Sequence, residues 1–216
     1  MDKDLSFIEE CGGYYVDKRH GDDCEEKVVY LTFDAGYENG NVDKILNILK
    51  AENVKAAFFI VGNLISHDPE LVIRMTNEGH IVANHTYYHK DMTTCKDITE
   101  FKNELEHLET AYRELTNREM PRYYRPPEGK FDLNSLLYAN RLGYKTIFWS
   151  FAYADWDNAK QPTAHYAKQK IYENLHNGAV ILLHPTSATN VEILPDIIKA
   201  LKNDGYRFGT LDELTK

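Results

Sequence analysis

Cationic charge is in short supply in this 216-residue chain: 25 lysines and arginines stand against 34 aspartates and glutamates, a formal net charge of -9. A groove that tracks nucleic-acid phosphates needs a cationic face, and no basic cluster provides one, so nucleic acid is excluded as the main partner. Cysteine is nearly missing. Cys11, Cys24 and Cys95 are odd in number and lack a Cys-x-x-Cys spacing, which excludes a complete disulfide framework and a zinc knuckle and leaves a Cys11–Cys24 pair open. No apolar run reaches the roughly 20 residues of a membrane-spanning helix, and residues 1–10 lack the basic start and apolar stretch of a secretory leader. Low-complexity linkers and internal repeats are also missing. One domain is the economical organisation, because single α/β barrels run to about 200 to 250 residues. The apolar share of 43% and charged share of 27% are those of an ordinary globular chain.

What is present is an alternation of two periodicities. After an irregular segment over residues 1–26, Lys27 to Phe33 reads as a strand, and Val42, Ile45, Leu46 and Leu49 then recur at helical spacing. Val54 to Val61 is a second strand. Asp68-Pro69 offers a cap and a first-turn proline to a helix carrying Leu71, Val72 and Met75 and stopped at Gly79. His80 to Asn84 is a third strand. Asp97, with Glu100 three residues on, opens a longer helix whose face is Phe101, Leu105, Leu108, Tyr112 and Leu115. Arg122 to Arg125 is a short strand, Asp132 to Leu142 a helix, Lys145 to Phe151 a strand and Thr163 to Asn177 a helix. Ala179 to Leu183, Val191 to Asn203 and Tyr206 to Phe208 complete seven βα-type units. Continuous apolar strands alternating with amphipathic helices mean a parallel sheet covered on its outer face. The fold class is therefore α/β, a distorted (β/α) barrel of about seven parallel strands over residues 27–216, with an open doubly wound sheet as the runner-up.

Polar residues sit where such a fold keeps its chemistry, at the carboxyl ends of the strands. Asp34 ends the first apolar run, His85 and His89 follow Asn84, Arg125 follows Tyr123-Tyr124, and His184 follows Leu183. His85 and His89 are spaced so that one helical turn would present both imidazoles to one metal ion, although such histidines alone are more often surface or hydrogen-bonded residues. Asp34 before a glycine could equally be a turn residue. Pro126 and Pro127 stiffen the backbone beyond Arg125, which suits a rigid wall offering the amide of Glu128 or Gly129 to a developing oxyanion. From the residues alone, these groups point to a hydrolytic metal or acid-base site.

The order Thr32-Phe33-Asp34, His85-x-x-x-His89, Arg125-Pro126-Pro127-x-Gly129, Asp155-Trp156 and Leu182-x-His184 resembles the polysaccharide deacetylases that share the NodB homology domain, carbohydrate esterase family 4. The stretch Thr-Phe-Asp-x-Gly-Tyr-Glu-Asn-Gly and the later Trp149-Ser150-x-Ala152-x-x-Asp155-Trp156 are most similar to the PdaA-like N-acetylmuramic acid deacetylases of spore cortex synthesis. The resemblance runs from about Gly12 to the carboxyl end. It implies Asp34 as general base, Arg125 holding that carboxylate, His184 as general acid and Asp155 orienting His184. It further implies Trp156 and Leu182 around the acetyl methyl, Tyr37 and Glu128 among the substrate-binding residues, and His85 with His89 carrying a divalent metal, zinc by expectation. The substrate implied is peptidoglycan or another N-acetylated glycan, with the muramic δ-lactam as the eventual product. The site of action would be outside the cytoplasm, in the cell envelope or spore cortex, after removal of a leader, and the enzyme a monomer.

Two positions depart from that pattern. Ala35 stands where most of the family has a second aspartate that ligates the metal, so two imidazoles remain as protein ligands and metal affinity should fall. Glu128 stands where PdaA-like members carry arginine, and an acid there repels an anionic sugar, favouring N-acetylglucosamine or an uncharged peptidoglycan fragment. Two rival readings follow: an O-deacetylase of acetylated polysaccharide using the same residues, and a glycan-binding module without catalysis.

Overall fold

The computed structural model describes residues 6–21 and 23–216; residues 1–5 and 22 of the N-terminal segment lie outside the described residues. The strands are β1 (Gly13–Tyr14), β2 (Lys27–Ala35), β3 (Ala57–Ile60), β4 (Ile81–Asn84), β5 (Tyr123–Tyr124), β6 (Lys145–Ile147), β7 (Ala179–Leu183) and β8 (Tyr206–Phe208). The helices are α1 (Ser6–Glu10), α2 (Val42–Ala51), α3 (Gly62–His67), α4 (Pro69–Asn77), α5 (Ile98–Thr116), α6 (Leu133–Arg141), α7 (Ala164–Glu173), α8 (Ala188–Asn203) and α9 (Leu211–Leu214). The strands pair in parallel in the order β1-β6-β5-β4-β3-β2-β7, with β8 alongside the first residues of β2. Single bridges join Val16 to Ala179 and Phe151 to Ile181, so the far edge of the sheet comes round to β7 and the sheet closes as a distorted α/β barrel.

Alternation along each strand sorts its side chains into two cores, because successive residues point to opposite faces. Val29, Leu31, Phe33 and Ala35 of β2 face outward and pack with Ile45, Leu46 and Leu49 of α2 and Ile193, Leu194 and Ile198 of α8. Val28 and Tyr30 face inward and pack with Phe59, Ala83, Tyr123, Ile147 and Val180 from the other strands. Burying each large apolar side chain of either layer contributes about 1.5 to 3 kcal/mol, which fixes the register of the strands. A one-residue slip would exchange the two faces. The inward parity continues to the strand ends, where it aims Asp34, His85, Arg125, Trp149 and His184 into the barrel mouth.

Several elements differ from expectation. The N-terminal segment, expected to be irregular, holds α1 and β1, and β1 pairs Gly13 with Thr146 and Tyr14 with Ile147. A two-residue strand has too little length to display a period. The strand expected over Lys145 to Phe151 leaves the ladder after Ile147, because the backbone of Ser150 and Phe151 turns to hydrogen-bond with Val180 of β7. That change of partner is what closes the barrel. Helix α8 starts earlier than Val191, since the Ser187 hydroxyl accepts from the Asn190 amide and caps it at Ala188. Helix α3 was unforeseen. Its first residue must be glycine, because a Cβ on Gly62 would lie 2.6 Å from the Tyr87 ring. All three cysteines are free, so the Cys11–Cys24 pair is not formed.

Candidate active site

Two buried braces face each other across the barrel mouth. At the end of β2, Asp34 Oδ1 accepts from Arg125 Nη1 at 2.9 Å. Arg125 is completely buried, and its other donors go to the Thr32 hydroxyl and to the carbonyls of Ile147 and Phe148. Its guanidinium also lies 4.1 Å above the Phe59 ring. Burial pushes the Asp34 carboxyl up, but the positive charge of His85 when protonated, of Arg125 and of His184 outweighs it and holds the group below the ordinary carboxylate range. Asp34 is thus kept ionised and acceptor-only.

At the end of β7 the second brace is an imidazole on a carboxylate. His184 Nδ1 donates to Asp155 Oδ1 at 2.7 Å, and the His184 backbone amide donates to Asp155 Oδ2 at 2.8 Å. Burial pushes the imidazole down, yet the Asp155 hydrogen bond and charge, with Asp34 behind them, raise it above its ordinary value. The Nδ1 contact leaves Nε2 as the atom turned to the cavity. Asn190 was missed by sequence reasoning: fully buried in α8, it donates to Asp155 Oδ2 at 2.6 Å and to the His184 carbonyl at 3.0 Å. The Tyr153 hydroxyl donates to Asn190 Oδ1. A buried amide on an otherwise apolar helix face was the available signal.

Asp34 and His184 line one cavity of about 740 Å³. Leu182 and Trp156 line it as well, Leu182 buried and Trp156 59% exposed with its ring edge-on to His184 at 6.3 Å. Tyr37 forms part of the rim, its hydroxyl accepting from Asn158 Nδ2. Trp149, part of the motif that carries the family resemblance, is a further wall, and Tyr153, Val61 and Thr186 add walls that sequence reasoning did not single out.

His85 and His89 are brought together, but not by a helix. Thr86 and His89 have φ of 67° and 54°, which no α-helix tolerates, and the loop is held by Asn84 accepting from the Thr86 amide and by the Thr86 hydroxyl accepting from the Lys90 amide. The two rings meet edge-on at 5.0 Å. His85 Nδ1 donates to the Arg125 carbonyl at 2.8 Å, leaving Nε2 in the cavity 3.5 Å from Asp34 Oδ2. Burial depresses His85 to about 4, so the ring is neutral near pH 7 and its lone pair is available. This is the donor chemistry a metal site asks of histidine. The third ligand is not there: Ala35 belongs to the outward, helix-facing core, and among the described residues no group of three or more His, Cys, Asp or Glu side chains could hold a metal ion. The residues fit a two-imidazole hold that takes its remaining ligands from water and substrate.

The proline turn needs one correction. Pro127, Glu128 and Gly129 form a short 3₁₀ turn in which the Gly129 amide donates to the Pro126 carbonyl at 3.0 Å, so Gly129 has no free amide for an oxyanion and only that of Glu128 stays a candidate. Gly129 (φ 66°) lies against Trp149, where a Cβ would come 2.7 Å from the ring. The turn is pinned to the cavity wall.

A family model described as polysaccharide deacetylase matches residues 21–147. The peptidoglycan-N-acetylmuramic acid deacetylase PdaA of Bacillus subtilis is 39% identical over 209 residues, covering 97% of this chain and 77% of that protein. A peptidoglycan-N-acetylglucosamine deacetylase of Bacillus cereus is 35% identical over 190 residues, covering 86% of this chain and 67% of that protein. The solved structure of Bacillus subtilis PdaA, described as a family 4 carbohydrate esterase, superposes with a TM-score of 0.91 at 38% identity, over 99% of this chain and 89% of that one.

Proposed function

This chain belongs to the polysaccharide deacetylase family, and we propose that it hydrolyses the acetamide of an N-acetylated peptidoglycan sugar, with Asp34 as base and His184 as acid. The observation that carries this reading is the pair of braces: a carboxylate held ionised by Arg125 and an imidazole whose proton affinity is raised by Asp155, lining one cavity. A site that only held glycan would have no use for a base and an acid tuned in opposite directions.

Amide hydrolysis needs a proton removed from water and a proton returned to the amine. Asp34 takes the water proton as the oxygen adds to the acetyl carbonyl, and Arg125 keeps the carboxylate turned to the cavity. His184 Nε2 gives its proton to the sugar nitrogen as the C–N bond breaks, releasing acetate and a free amine. Asp155 holds the ring in the donating tautomer. Trp156 and Leu182 enclose the acetyl methyl, and Tyr37 and Glu128 meet the sugar at the rim.

Deacetylases of this family generally depend on a metal. Here His85 and His89 would hold it, zinc suiting the imidazole nitrogens, and when bound it supplies Lewis-acid polarisation of the carbonyl. The likeness to a muramic acid deacetylase supports an N-acetylmuramic unit as substrate. Peptidoglycan lies outside the cytoplasmic membrane, so action there is part of the proposal; among the described residues no helix is long and apolar enough to cross a membrane.

Acetate release tests the reading. Purified protein is incubated with de-peptidated glycan strands, chitooligosaccharides and acetylated xylan, with and without chelator. Acetate from the N-acetylated glycans is expected; release from xylan alone would make it an ester hydrolase, and glycan binding without release from any substrate would make it a binder.

A further inference from the structure

Resting on the deacetylase reading, we propose that Glu128 makes the mouth of the site select sugars without a free carboxylate, so that a muramic unit enters with its lactyl group in amide linkage. The charge inventory carries this. Among the described residues that line the cavity there is no lysine or arginine. Arg125, just beneath, is fully buried and committed to Asp34, Thr32, Ile147 and Phe148. Lys130 is the cation beside the rim, and its ammonium sits 2.9 Å from Glu128 Oε2 and 3.7 Å from Asp91 Oδ2. One cation is shared by two acids. At the rim a carboxylate on the bound sugar therefore meets Glu128 and no free lysine or arginine, while deeper in the cavity the His184 imidazole is engaged by Asp155 and the His85–His89 pair stands beside Asp34.

The position of Glu128 is built. Its φ of 56° is the left-handed region that a non-glycine residue adopts only when its surroundings impose it, and here Pro126, Pro127 and the Gly129 contact with Trp149 impose it. The carboxylate is thereby held at the cavity rim, more than half exposed. A lactyl amide removes the repulsion and adds an N–H that this carboxylate can accept, a charge-assisted hydrogen bond. Selection works from both sides, repelling the free acid and receiving the amide.

The test compares three substrates: de-peptidated strands with the free lactyl carboxylate, the same strands converted to the primary lactyl amide, and chitooligosaccharides. Rim charges act weakly through solvent, so wild-type protein is expected to favour the amide over the acid by about three- to tenfold in kcat/KM at low salt. That preference should shrink at high ionic strength. Glu128→Gln should bring the ratio close to one and free Lys130, and Glu128→Arg should invert it, both read in variants that keep the wild-type melting temperature. Equal kcat/KM for acid and amide in the wild type, or a ratio untouched by both substitutions, overturns the proposal. Acetate from chitooligosaccharides with neither muramic strand cleaved also overturns it and leaves the deacetylase standing. No acetate from any of the three brings down the deacetylase reading itself, and this proposal with it.

Discussion

Replacing Asp155 with asparagine puts the acid half of the mechanism under strain. Three donors converge on the Asp155 carboxylate: the His184 ring, the His184 amide and the Asn190 side chain, at 2.7, 2.8 and 2.6 Å. Asparagine offers one oxygen and one NH₂, so at least one of those donors meets another donor, at a cost of about 1 to 3 kcal/mol for the unsatisfied buried group. The imidazolium loses a hydrogen bond to a charged partner worth about 1.5 to 3 kcal/mol, which lowers the protonated fraction above the limb by about 10- to 100-fold. The basic limb of the kcat/KM profile for acetate release is therefore expected to move to lower pH, with turnover falling most on the alkaline side. His184 is raised in the fold, so its stabilising contribution is complete below the unfolded histidine pKa of about 6.5 and fades as pH rises through the folded value. Urea midpoints of wild type and Asp155→Asn should accordingly lie furthest apart below pH 6.5 and draw closer as pH rises through the folded value, leaving only the pH-independent cost of the unsatisfied donor. An unmoved basic limb, with activity lowered by the same factor at every pH, would refute the argument that Asp155 acts through the His184 proton.

Asp34→Asn is expected to abolish acetate release, a loss of about 10² to 10⁴ for a missing base, while circular dichroism stays near wild type and the melting temperature falls because the fully buried Arg125 loses its counter-charge; retained activity would remove Asp34 from the base role. His85→Ala should eliminate bound metal in elemental analysis, and in the wild type chelation should remove it readily because two imidazoles hold it; activity unchanged by exhaustive chelation would point to metal-free hydrolysis. His80 gives a stability prediction away from the site. It is buried against Phe58, accepts from the Ala56 amide and is pushed down by burial to about 4. It is therefore neutral in the fold, and about 3 kcal/mol of stability present above pH 6.5 should be lost as pH falls toward 4. His80→Gln should flatten that dependence in urea titrations, and an unchanged slope would show that another group is responsible.

Legibility followed period length. Strands such as β2 and β7 are long enough to stand out as continuous apolar runs, so Asp34 and His184 could be placed at strand ends from sequence, and both line the cavity there. Strand β1 spans two residues, and its pairing with β6 depends on contacts distant in sequence that no local pattern encodes. The hand-over of the chain from β6 to β7 was hidden for the same reason: the aromatic residues Phe148, Trp149 and Phe151 all favour strand, and tertiary partners decide where the ladder stops. His85 and His89 were paired by a helical argument that the loop does not obey. The rings meet because left-handed turns at Thr86 and His89 fold the loop back over the strand end. Asn190 stayed invisible since its role lies in a contact made 35 positions away.

Strand parity also explains how Asp34 and His184 come to be paired with buried partners at the barrel mouth. Asp34 and Ala35 are consecutive, so on a strand one faces the barrel mouth and the other the helical layer, and Ala35 is wholly buried there among aliphatic side chains. An alanine at that place fits the outer core. The work of placing charge then passes to residues whose inward parity is secured by the inner core: Arg125 follows Tyr123 by two positions and His184 follows Val180 by four, both even offsets from buried inward residues. Asp34 and His184 each end against a buried partner. Asp34 is kept charged by a guanidinium that cannot reach solvent, and the proton affinity of His184 is raised by a carboxylate that cannot reach solvent either. Because both partners are sequestered, salt should screen the Asp34–Arg125 and His184–Asp155 pairs far less than the exposed Glu128–Lys130 pair at the rim. Ionic strength should therefore alter which sugar is accepted well before it alters the proton transfers that cleave it.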